Sequence, residues 1–109
     1  MTTVTFYAED SRLTGFEIKG HSGLAIEGQD VLCAAVTSAV RLAECAVNDV
    51  LGLSAAVQLR EKDASVSLKL PGGLDQTSES TCQTLLTALM VYFVQLHEEY
   101  PQYIIVMEV

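Results

Sequence analysis

The sequence predicts an α+β domain: about five short strands in one small sheet, two amphipathic helices on one face, order β-β-α-β-β-α-β. Three observations lead there. Short segments alternate apolar and polar residues, as half-buried strands do. Two longer segments carry apolar residues at helical spacing. The chain has 109 residues, 50% of them hydrophobic and 18% charged, enough to bury one core over residues 1–109 with no room for a second domain.

Thr2 to Glu9 alternates through Val4, Phe6 and Ala8 and reads as a first strand. Asp10-Ser11 makes a turn, and Leu13 to Lys19 alternates again through Phe16 and Ile18. Gly20 to Gln29 is a loop holding Gly20, Gly23 and Gly28. Asp30 is placed to cap a helix running from Val31 to about Leu51 and ending at Gly52. Its apolar arc contains Leu32, Val36, Ala39, Val40, Ala43, Val47 and Val50, with Thr37, Arg41, Glu44 and Asn48 on the polar side. Ser54 to Arg60 and Ser65 to Leu70 form a strand pair turning at residues 61–64, and Pro71-Gly72-Gly73 breaks the chain. A second helix from about Asp75 or Thr77 to His97 or Glu98 buries a stripe of Leu85, Leu89, Tyr92, Phe93 and Leu96. Gln102 to Val109 closes the fold as a strand.

Charge and cysteine usage narrow the functional classes. Six Lys and Arg against fourteen Asp and Glu give a net charge of −8, which disfavours binding to nucleic acid or to an anionic membrane. It favours a basic protein partner and a salt-sensitive encounter with it. No secretory signal is evident at the N-terminus, and no run reads as long enough to span a bilayer. Cys33, Cys45 and Cys82 form no close pair of the metal or redox type. Cys33 and Cys45, twelve residues apart on one helix, would be separated by about 18 Å, too far for a disulfide. Free thiols in a reducing cytoplasm, without metal or cofactor, are therefore expected.

Each cysteine has its own expected role. Cys82 falls within the apolar stripe of the second helix and reads as a small core hydrophobe. Cys45 lies among polar positions, as a partly exposed or subunit-facing thiol. Cys33 sits in the expected first turn of the first helix, where unpaired N–H groups favour a thiolate and can hold an oxyanion. His21, at the start of the glycine-rich loop, can return to the mouth of that helix as a base. The alternative is a solvated loop histidine beside an inert thiol. His97, in the last turn of the second helix, reads as structural.

Gly20-His21-Ser22-Gly23, followed by Gly28-Gln29-Asp30-Val31-Leu32-Cys33-Ala34-Ala35-Val36, resembles the signature of the ribosomal-processing cysteine protease family Prp, and the likeness runs through the whole chain. The resemblance implies a cytoplasmic homodimeric endopeptidase with a Cys-His dyad. It would remove the N-terminal extension of a ribosomal protein precursor, the twenty-seventh protein of the large subunit, during ribosome assembly. By position, Cys33 would be the nucleophile and His21 the general base and acid. Asp30 would either orient His21 or cap the helix, and Gly20, Ser22, Gly23, Gly28 and Thr37 would contact substrate. Thr37 departs from the family pattern, which has serine there; its hydroxyl lies one helical turn from Cys33. Two rivals come from other classes: a non-catalytic module that binds a ribosomal protein, and a small thioesterase-like enzyme. The first would tolerate Cys33→Ala; the second would need an apolar tunnel.

Overall fold

The computed structural model describes the backbone of residues 1–20 and 27–109, and the side chains of residues 1–20 and 31–109. The described elements are β1 (Thr2–Glu9), β2 (Arg12–Lys19), α1 (Glu27–Glu44, continued by a π-helical segment Cys45–Val50), β3 (Ala56–Arg60), β4 (Ser65–Lys69), α2 (Gln76–Glu99) and β5 (Ile104–Glu108). Their order is the one read from periodicity.

The five strands form one mixed sheet in the order β3-β4-β2-β1-β5. β1 pairs antiparallel with β2 and parallel with β5, while β4 lies antiparallel to both β2 and β3. Register explains why one face is buried. Phe6 stands opposite Phe16 and Phe16 opposite Leu68; Val4 stands opposite Ile18; Thr2 stands opposite Ile104. These side chains point to one face and meet the helices, while Thr3, Thr5, Glu17, Ser67 and Lys69 point to the other. Phe6 anchors the core, its ring centroid 5.5 Å from that of Phe16 and 6.3 Å from that of Phe93 on α2.

α2 begins at Asp75, whose side chain accepts from the Ser78 N–H at 2.7 Å and satisfies one orphan donor of the first turn. It buries Cys82, Leu86, Leu89, Phe93 and Leu96. The expected stripe holds at Leu89, Phe93 and Leu96 and differs at two positions. Leu86 occupies the core where Leu85 was expected, and Tyr92 is exposed. The deciding contacts come from β2. Gln83 receives the Leu13 N–H and donates to the Leu13 carbonyl, both at 2.8 Å, and Arg12 Nε donates to Glu79 at 2.7 Å, so residues 79 and 83 must face that strand. At the other end His97 Nδ1–H donates to the Ile104 carbonyl at 2.6 Å and ties the end of α2 to β5, in keeping with a structural role.

The first helix departs from expectation at both ends. It opens at Glu27, so Asp30 stands within the first turn and is not the N-cap. Acidic residues in a first turn complement the helix dipole, and one glycine at position 28 does not stop propagation. At the other end the π-helical turn shifts the phase of the arc. Val50, expected in the core, is 76% exposed. The same turn directs Asn48 to the backbone of Ala55, which donates to Oδ1 at 2.6 Å and accepts from Nδ2 at 3.2 Å. Residues 31–50 are, by length and composition, long and apolar enough to cross a bilayer, contrary to the expectation that no run is. In this fold their stripe of Leu32, Val36, Val40, Ala43 and Val47 is buried against the protein's own core.

Candidate active site

α1 does not cover the whole inner face of the sheet. Along its far side the face of β3 and β4 stays open, and the space between is a cleft of about 680 Å³. One wall is α1, through Cys33, Val36, Thr37, Val40, Arg41 and Glu44; the floor is Ile18, Val57, Leu59 and Val66. Leu59, at the edge of the sheet, is 74% exposed although its side chain belongs to the apolar face. Gly20, Ala64 and Ser65 close the end of the cleft where β2 finishes.

Cys33 is half-buried on this wall, and Thr37 is exposed one turn further along. Gly20 has a backbone reason for its identity. Its φ is +83°, and a Cβ there would lie 2.7 Å from the Met1 carbonyl oxygen. Its N–H donates to the Ala64 carbonyl at 3.1 Å, which pins this left-handed turn to the β3–β4 connection. Gly20 therefore fixes the direction in which the chain leaves β2 toward position 21.

Of the sequence-predicted residues, the structure brings Cys33, Thr37 and Gly20 to one cleft. Gly28 and Asp30 lie in the first turn of α1, with side-chain positions outside the described residues, and His21, Ser22 and Gly23 lie outside them altogether. Because α1 opens at Glu27, Cys33 stands in the second turn and not the first. The helical N–H groups without an i−4 partner belong to the opening turn, so the Cys33 amide falls within the ladder and is not a free oxyanion donor in this state. The other thiols behave as expected: Cys45 is exposed and Cys82 fully buried. Burial pushes the Cys82 thiol up, with Glu79 adding to the effect and Arg12 opposing it. No group of three or more metal-ligating side chains occurs among the described residues.

Arg41, Glu44, Val57, Leu59 and Ser65 also line the cleft and were not singled out by motif. A signal existed for the first two. Arg41 and Glu44 follow Cys33 by eight and eleven residues, a spacing that keeps all three on one side of a helix. The strand residues are far from Cys33 in sequence, and only tertiary packing brings them near.

The model of the cysteine protease Prp family matches residues 1–105. The chain belongs to the Prp cysteine protease family. It is 28% identical over 93 residues to the ribosomal processing cysteine protease Prp of Bacillus subtilis, covering 85% of this chain and 83% of that one. Its fold superimposes on a crystal structure of a Streptococcus mutans protein with a TM-score of 0.86 at 24% identity, covering all of this chain and 94% of the other. It also matches the essential ribosomal processing protease Prp of S. aureus in complex with a substrate peptide, with a TM-score of 0.84 at 17% identity over the full length of both chains. The protein is accordingly a cysteine protease of the ribosomal-processing Prp type.

Proposed function

We propose that this Prp protein removes the N-terminal extension of the twenty-seventh protein of the large ribosomal subunit during ribosome assembly, using a Cys33–His21 dyad. The observation that carries the reading is the half-buried thiol of Cys33 on the wall of an apolar cleft of about 680 Å³, in a member of a cysteine protease family.

His21 takes the Cys33 proton, and the thiolate attacks the scissile carbonyl carbon. Backbone N–H groups of the opening turn of α1 supply the donors for the oxyanion. The tetrahedral adduct collapses as His21 returns its proton to the leaving amine, which departs as the new N-terminus of the ribosomal protein. Water activated by His21 then hydrolyses the thioester, releasing the extension as a carboxylate and restoring the thiol. In this reading Asp30, which stands in the first turn of α1, orients His21. Gly20 directs the chain toward His21, and Ser22, Gly23, Gly28 and Thr37 contact the substrate. The protein works as a homodimer in the cytoplasm, without cofactor or metal and without binding nucleic acid or membrane. Its net charge of −8 favours encounter with a basic ribosomal protein.

The test is intact-mass analysis of the extended precursor after incubation with the wild type and with Cys33→Ala. A single N-terminal loss with the first and none with the second is the expected result. Binding by both forms without cleavage by either would replace this reading with that of a non-catalytic assembly module.

A further inference from the structure

The exposed side of α1 that faces the cleft carries a regular series: Cys33, Thr37, Arg41 and Glu44. At 1.5 Å of rise per residue, Arg41 stands about 12 Å along the helix from Cys33. An extended peptide advances about 3.3 Å per residue, so a chain lying against α1 with its scissile bond at Cys33 reaches Arg41 with its fourth residue.

Arg41 is distinguished by what it lacks. Among the described residues the single ion pair joins Arg12 to Glu79, so Arg41 is not bridged to Glu44 although the two stand three residues apart on one helix. No side-chain hydrogen bond engages its guanidinium among the described residues either. Arg60, the other cation bordering the cleft, donates to Gln58 at 3.2 Å, and both residues project from the opposite face of β3. Among the described residues, then, the Arg41 guanidinium keeps its N–H donors unpaired, beside a floor of Ile18, Val57, Leu59 and Val66. An arginine beside apolar surface, where water competes less well, binds an oxygen acceptor more strongly than one in open solvent.

We propose that Arg41 is a specificity-determining residue of this Prp protein, binding an oxygen acceptor of the substrate about four residues from the scissile bond. α1 then acts as a ruler, with the nucleophile at one mark and a cationic donor at the other. The proposal rests on Cys33 being the nucleophile of a peptide-cleaving site. The acceptor is either a backbone carbonyl or the oxygen of an amide or carboxylate side chain, and the two sources are separable.

The experiment measures kcat and KM for synthetic peptides spanning the precursor's cleavage junction, shortened one residue at a time from either end. With the wild type, removing the fourth residue from the scissile bond at one end is expected to raise KM about tenfold with kcat unchanged, the size of effect that one hydrogen bond to a charged group supports. Arg41→Ala raises KM to that level on the full peptide and shows no further step on truncation. Arg41→Lys recovers part of the loss. Arg41 is exposed, so its removal leaves the fold intact, and an unchanged Tm verifies this. Alanine at the fourth position separates the sources: KM rises if the acceptor is a side chain and stays put if it is the backbone. A truncation step of equal size in Arg41→Ala and wild type, or an Arg41→Ala variant with wild-type KM, overturns the ruler while leaving the protease reading standing. Wild-type protein that cuts none of the peptides overturns both.

Discussion

Gly20 joins β2 to the segment that holds the proposed base His21, and replacing it with alanine tests whether that junction is as constrained as its geometry indicates. Two costs add. An L-residue held in the left-handed region pays about 1 kcal/mol or somewhat more. The new Cβ would also stand 2.7 Å from the Met1 carbonyl oxygen, well inside ordinary contact distance. Met1 cannot simply withdraw, because the next residue, Thr2, donates its N–H to Tyr103 at 2.8 Å and continues into β1. Overpacking of this kind costs about 1–2 kcal/mol more, for a total of roughly 2–3 kcal/mol. Gly52 provides the control. Its φ is +68°, yet nothing lies within 4 Å of a Cβ built there, so Gly52→Ala pays only the backbone term of about 1 kcal/mol. For a chain of this size the expected drop in Tm is about 4 °C for Gly52→Ala and roughly 8–12 °C for Gly20→Ala. Differential scanning calorimetry reads both, and urea titration supplies ΔG at constant temperature. Gly20→Ala should also lower kcat per folded molecule, because the direction of exit from β2 sets where His21 begins. Equal losses for the two variants would refute the close-approach argument. A large loss of stability with unchanged kcat would refute the link to the catalytic segment.

Two other expectations concern the second helix. Leu86→Ala should cost about 2–5 kcal/mol, since Leu86 is fully buried, whereas Leu85→Ala should cost clearly less; chemical denaturation of the pair checks which leucine the core holds. Asp75→Ala should lower Tm at neutral pH by removing the cap on α2. The Ser78 hydrogen bonds hold the Asp75 carboxyl below its ordinary value of 3.8, so the cap's contribution is present above that pH and is lost as pH falls through the lowered folded value. Thermal melts of the two proteins should therefore converge in acid; a gap that persists there would show that the cap does not act through its charge.

Much of the fold was legible because its signals are local. Val4-Phe6 and Phe16-Ile18 alternate with the period of a strand, and Gly52 and Pro101 punctuate the helices. The His21-to-Cys33 run pointed to a cysteine protease before any geometry, because such a run joins rare residue types at fixed separations. Helix phase was less legible. Leu85 and Leu86 are equally apolar, and only the hold of Gln83 and Arg12 on β2 and α2 decides which leucine turns inward. Val50 misled in a similar way, since a π-helical turn, which apolar spacing does not announce, swings it outward.

The sequence by itself determined the element order, the alternation of the strands and the identity of the nucleophile candidate, all of which rest on spacing along the chain. Only the tertiary structure decided that β3 and β4 leave their inner face uncovered beside α1. A cleft belongs to no segment: it exists because a helix is narrower than the sheet it covers, and which strands remain bare depends on strand order. That order, β3-β4-β2-β1-β5, places Val57 and Leu59 across from Cys33, and it sets the thiol on one wall of an apolar cleft.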